Sequence, residues 1–295
     1  MEKIKLVIAM LIVGSIGIFV YYIPLPSEVI SGARSIIGTS FLLGLMIFRR
    51  TKINWSAVRK NTGYLILSGS AIGFNWIFLF EAYQYTSVAV ATLCYYMAPV
   101  FVILAAPFVL KEKLTITNIV CTFAALFGAG LISGTFGTDQ TSLIGIGYGL
   151  AAAGLYASIM ILNKLCQGLT GLELTFFQLL VSAIVMVPYV LVTQDLSSIT
   201  FSGQTIFLLI IVGVVHTGMV YQLFFSALNQ LPAQTSSLMS YIDPVTAIIL
   251  SAVLLNQPLS SIQIIGMLLI LGSAILNELL TNHWKGTPVT ENKVV

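Results

Sequence analysis

Charge is what this chain has least of. Only 8% of its 295 residues are Asp, Glu, Lys or Arg, against roughly 25% in an ordinary soluble domain. That shortage excludes a fold whose whole surface is solvated by water. Cysteine and histidine are scarce too, at three and two residues. Cys94, Cys121 and Cys166 lie in or beside apolar runs without metal-ligand spacing, so free, buried thiols are expected, with no metal site and no disulfide framework. Phosphate loops, zinc helices and nucleophile elbows are missing, which leaves no enzyme pattern and no cofactor site. No loop is long enough to hold a nucleotide-hydrolysing domain. The 13 Lys and Arg are scattered between apolar runs, so they build no face for nucleic acid.

What is present is apolar. Hydrophobic residues make up 58% of the chain, and the mean hydropathy is +1.00. A helix needs about 20 apolar residues to cross the hydrocarbon of a bilayer. Open strands cannot satisfy their backbone there, so long apolar runs argue for helices. Ten runs are predicted to span: Ile4 to Ile23, Glu28 to Phe48, Gly63 to Tyr85, Val88 to Leu110, Thr115 to Gly134, Leu143 to Lys164, Leu172 to Thr193, Gln204 to Leu228, Ala233 to Leu255 and Ser260 to Thr281. The first lacks a small-residue cleavage site before Tyr21 and is expected to stay as a helix. Residues 283–295 form a polar tail.

Charge sets the orientation. With the N-terminus inside, every Lys and Arg except Arg34 falls in or beside a cytoplasmic segment, as the positive-inside rule requires. The expectation is therefore a multi-pass protein of the cell membrane with both termini cytoplasmic, a monomer or a homodimer.

The sequence also repeats. At an offset of 145 residues, Tyr96 and Pro99 coincide with Tyr241 and Pro244, inside a gapless match from Glu81 to Val120. Two units follow, residues 1–136 and 137–282, each of five helices. An odd number makes the second unit enter the membrane in the opposite sense. Inverted repeats are a recurrent transporter design, with the site near the midplane.

Polar residues in lipid are costly and mark function first. Arg34 and Glu81 fall at similar depth on adjacent helices and are candidates for an ion pair closing a vestibule. Asp243 precedes Pro244, which frees the carbonyl of Ser240. Its acid is expected either to bond to Ser240 or Ser236, or to hold a cation or a coupling proton. His216 is the one histidine within a span, a packing residue or a proton carrier. Glu28, Glu173 and Glu278 sit near helix ends and are expected at the interface. Thr92 with Tyr96, and Ser237 with Tyr241, are spaced four apart, so two related hydroxyl–aromatic faces are expected to line one cavity. Trp76, Phe80 and Tyr83 form another aromatic face, to which Tyr156 and Tyr221 add. Such walls suit small polar metabolites through stacking, hydroxyl donors and cation–π contacts.

Several short motifs resemble the drug/metabolite transporter superfamily, in its EamA-type branch. They are Ala98-Pro99-Val100 followed by Lys111-Glu112-Lys113-Leu114, Tyr241-Ile242-Asp243-Pro244 followed by Asn256-Gln257-Pro258-Leu259, and Phe80-Glu81-Ala82-Tyr83. Gln257 stands where the family usually has an acid. The resemblance implies ten helices in two inverted halves, with a central cavity lined by helices one to four and six to nine and helices five and ten at the periphery. It also implies export of amino acids, amines or related metabolites. A carrier for such solutes is the first expectation, with protons as coupling ion. Uptake of an organic cation, balanced by Glu81 and Asp243, is the second. A channel or a membrane receptor is the third.

Overall fold

A computed structural model describes residues 2–85, 91, 94–112, 114–133, 143–254 and 261–285. Among these the regular structure is helical: α1 (Glu2–Tyr21), α2 (Ser27–Phe48), α3 (Trp55–Tyr85), α4 (Ala98–Val109), α5 (Ile116–Ser133), α6 (Leu143–Leu165), α7 (Gly171–Thr193), α8 (Gly203–Gln230), α9 (Ala233–Met239), α10 (Ile242–Leu254) and α11 (Ser261–Lys285). Six of them, α1, α2, α3, α6, α7 and α8, contain a stretch long and apolar enough to cross a membrane. Their outer faces stay apolar: Phe48 of α2 and Val192 of α7 are each 86% exposed, which water would penalise and lipid does not.

Two predicted helices are interrupted. The fourth breaks at Tyr96 and Met97 before α4, and the ninth breaks at Ser240 and Tyr241 between α9 and α10. Each break precedes a proline, Pro99 or Pro244, whose ring cannot donate to the carbonyl four residues back. At the second break the vacant Ser240 carbonyl accepts the Asp243 N–H at 3.2 Å instead. Tyr96 and Tyr241, one in each break, lie 145 residues apart, like the prolines themselves. The eighth predicted helix holds a further irregularity, a π-helical segment over Val214–Met219. Such single-turn bulges collect at functional sites.

Packing interleaves the two halves of the chain. α3 lies on α6 and α7, and α1 lies on α8 and α10. α2 lies on α7 and on the first part of α8, and α4 lies on α6. Exchanging the halves turns each contact into another of the set: α3 on α6 becomes α8 on α1, and α4 on α6 becomes α10 on α1. α5 and α11 pack chiefly against each other, and Gly128 lets them close: a Cβ there would stand 2.7 Å from the Gly266 carbonyl. Gly14 does the same where α1 meets the second break, with a Cβ 2.7 Å from the Asp243 carbonyl.

One end of the bundle is tied across the halves. Glu173 is 2% exposed and sits in the first turn of α7, near a helix end as the sequence suggests. It closes a capping box with Thr170 and also accepts the Asn54 N–H at 2.7 Å, joining the α2–α3 turn to the start of α7. Asn61 and Gln167 exchange hydrogen bonds beside it. The Glu112 carboxylate accepts the Ala233 N–H at 2.9 Å, capping α9 from the other half. Lys164 donates to the Leu231 carbonyl nearby.

Candidate functional site

A cavity opens where the two broken helices meet α1, α3, α6 and α8. The helix breaks bring it there. The Tyr241 hydroxyl donates to the Tyr96 carbonyl at 2.7 Å, and the two rings lie 6.2 Å apart. Ser237 is fully buried and its hydroxyl reaches the Pro99 carbonyl at 3.4 Å. Side chains flanking the second break thus reach carbonyls at and just after the first.

The walls are aromatic. Tyr95 stacks on Tyr156 at 5.5 Å, and Tyr156 on Phe224 at 6.4 Å. Tyr221 packs against Phe225 at 5.3 Å. Asn75 fixes the rim of this wall: its amide donates to the Ala152 carbonyl at 2.7 Å, and its oxygen accepts the Tyr95 hydroxyl at 3.4 Å. The space inside is about 80 Å³. That is roughly five to eight water-sized positions.

Asp243 faces this space from the start of α10. Its backbone N–H is used by Ser240, but among the described residues its carboxylate has no hydrogen bond and no ion pair. The expected bonds to Ser240 and Ser236 do not form. The Ser240 hydroxyl donates to the Ser237 carbonyl at 2.6 Å, while the Ser236 oxygen has no partner among the described residues. Among the described residues the lining contains no Lys, Arg or His.

Arg34 stands one layer behind. Its guanidinium lies 4.5 Å over the Trp76 ring, and its Nε donates to Thr217 at 3.1 Å. Trp76 in turn backs Tyr221 at 6.1 Å. The π segment is what presents Thr217, whose hydroxyl bonds to the Val212 carbonyl five residues back. The predicted ion pair with Glu81 does not form; Arg34 turns inward, where an aromatic face and a hydroxyl replace a carboxylate.

Of the residues singled out in the sequence, Tyr96, Tyr156, Tyr221 and Asp243 line the cavity. Trp76 and Arg34 support its wall. Ser237 and Tyr241 do not line it; they clamp the two breaks together, because the unwound backbone consumes their hydroxyls. Thr92 and the side chains of Phe80 and Tyr83 lie outside the described residues. Glu81 lies off the cavity. His216 also lies off it, packed on Phe19 at 4.7 Å with Nε2 2.9 Å from the Ser15 hydroxyl. Tyr95, Asn75 and Phe224 escaped the sequence reading. An amide within an apolar run was the available signal for Asn75.

The sequence model of the EamA-like transporter family matches residues 3–134 and 143–279. The chain is 33% identical over 282 residues to the uncharacterized transporter YxxF of Bacillus subtilis (strain 168), covering 92% of this chain and 88% of that one. It is 23% identical over 257 residues to the uncharacterized transporter YoaV of the same organism, covering 86% and 87%. Its fold is similar to that of a solved crystal structure, with a TM-score of 0.85 at 17% identity over 96% of this chain and 98% of the other.

Proposed function

Because the chain belongs to the EamA-like transporter family, we propose that it exports small amine-bearing metabolites, amino acids and their relatives among them, across the cell membrane in exchange for protons. Asp243 carries this reading. It is the one acid in the lining, it has no partner among the described residues, and aromatic faces surround it. A bare carboxylate away from water is costly. Either a proton or an ammonium group relieves that cost, and both cannot do so at once. Competition for one carboxylate is the simplest coupling between an outward amine and an inward proton. Aromatic rings then hold the rest of the cation. An amino acid fits the same way through its amino group, while Asn75 and the tyrosine hydroxyls face its other end.

Alternating access is supported by the fold. The family match falls in two segments of similar length. Both breaks follow one Tyr-x-x-Pro pattern. The interhelical contacts come in pairs related by exchange of the halves. These features fit two inverted five-helix units that rock about the broken helices. The end tied by Glu173, Glu112 and Lys164 collects the basic residues and is assigned to the cytoplasm, with both termini.

The test is thermal stability of the purified protein against amines, amino acids, and matched neutral and anionic solutes. A ligand at 100 times its Kd adds about 2.7 kcal/mol. Amines are expected to stabilise the wild type and to have no effect on Asp243→Asn. Stabilisation by anionic solutes alone would overturn the reading.

A further inference from the structure

A second cavity lies at the tied end, lined by Glu2 and Lys5 of α1, Lys164 and Cys166 at the end of α6, and Ser226 and Asn229 of α8. It holds about 480 Å³, several times the space of the aromatic cavity. The same three helices line both. On α1 the aromatic cavity is met by Met10 and the second by Lys5; on α6 by Ile159 and then Lys164; on α8 the two come closest, at Phe225 and the adjacent Ser226. At 1.5 Å of rise per residue, the five-residue steps on α1 and α6 separate the two by about 7–8 Å. That distance is one layer of side chains.

The layer is apolar and tight. Leu6 and Met160 are 0% exposed and Phe225 is 2% exposed, and all three belong to one packed cluster. Asn163, one turn beyond Met160 on α6, is fully buried and its Nδ2 finds no acceptor among the described residues. The second cavity itself is polar, with Glu2, Lys5, Lys164, Ser226 and Asn229 in its lining. Its basic groups are already engaged, Lys5 by Glu2 at 2.8 Å and Lys164 by the Leu231 carbonyl.

We infer that the polar cavity is the cytoplasmic antechamber of the transport path, where hydrated cargo waits, and that Leu6, Met160 and Phe225 form the gate between it and the aromatic cavity. This rests on the transport reading above for its cargo and not for its geometry. Opening requires α1 and α8 to part by the width of one side chain. Leu6 and Met160 are flexible enough to swing aside, and Phe225 already packs on Tyr221, so a cation seated against Tyr221 bears directly on the gate.

Cysteine accessibility tests the assignment without any transport assay. The full-length protein, with Cys94 and Cys121 changed to Ala, is treated in inside-out and right-side-out vesicles with a cationic, membrane-impermeant methanethiosulfonate. Cys166 is expected to react from the cytoplasmic side only. In a second set Cys166 is also changed to Ala and Ile159→Cys reports on the aromatic cavity. Phe225→Ala is expected to raise its labelling from the cytoplasmic side at least tenfold, with Met160→Ala as the alternative opening should Phe225→Ala not fold. Unchanged labelling of Ile159→Cys in a folded gate variant, or reaction of Cys166 from the outer side, would overturn the gate. Amine flux that fails while the labelling pattern holds would instead remove the cargo assignment and leave the gate standing.

Discussion

The Tyr241 hydroxyl donates to the Tyr96 carbonyl across 2.7 Å, joining the break in one half of the chain to the break in the other. The carbonyl belongs to the turn that interrupts the first of these two helices. Tyr241→Phe keeps the ring and removes the bond, at about 0.5–1.5 kcal/mol. The expected result is a lower thermal midpoint in detergent, together with slower flux, because the two breaks then move independently. An unchanged midpoint would mean the bond contributes nothing to stability.

Asp243→Asn should separate stability from function. The acid is expensive where it sits, and a neutral amide of the same shape removes that expense. The variant is expected to unfold several degrees higher than the wild type while losing amine-dependent proton movement. Proton release on addition of amine, followed with a pH dye in lightly buffered solution, checks the second half of the statement.

Two glycines on one helix make a controlled pair. A Cβ at Gly14 would stand 2.7 Å from the Asp243 carbonyl, whereas at Gly17 nothing lies within 4 Å. Gly14→Ala should push α1 off the second break and destabilise the fold by about 1–3 kcal/mol, the usual cost of overpacking. Gly17→Ala gains about 1 kcal/mol of helix propensity with no clash. Thermal midpoints that move in opposite directions are the expected outcome.

Cys166 should report its own burial through pH. Burial pushes its thiol up to about 11, and only the thiolate attacks. Its alkylation rate should therefore still rise about tenfold per pH unit between 7 and 10, where an ordinary thiol levels off above about 8.5. A rate that saturates near pH 9 would place the thiol in open water.

Much of this architecture can be read from residue order. Pro99 and Pro244 mark both breaks because proline acts on its own backbone, and the charge pattern marks the loops because lipid rejects ions wherever they occur. The pairings within the site are less legible. Arg34 has an acid available at matching depth in Glu81, yet settles on Trp76 and Thr217. That choice depends on the π segment turning Thr217 inward, which leaves no trace in hydropathy. Ser237 and Tyr241 carry the right chemistry for a cavity wall, and the unwound backbone claims their hydroxyls first. Tyr95 lines the cavity beside Tyr96 because the helix ends between them, whereas on an unbroken helix adjacent residues point about 100° apart.

The Asn54–Glu173 bond also has a meaning in time. The two residues are separated by 119 positions, and a ribosome adding about 5–20 residues per second takes roughly 6–24 s to bridge them. Through that interval the α2–α3 turn sits at the membrane surface with its amide unclaimed. α3, which will rest on α6 and α7, meanwhile has only earlier helices and lipid beside it. The first five helices therefore enter the bilayer as an unfinished surface, and the later half completes them.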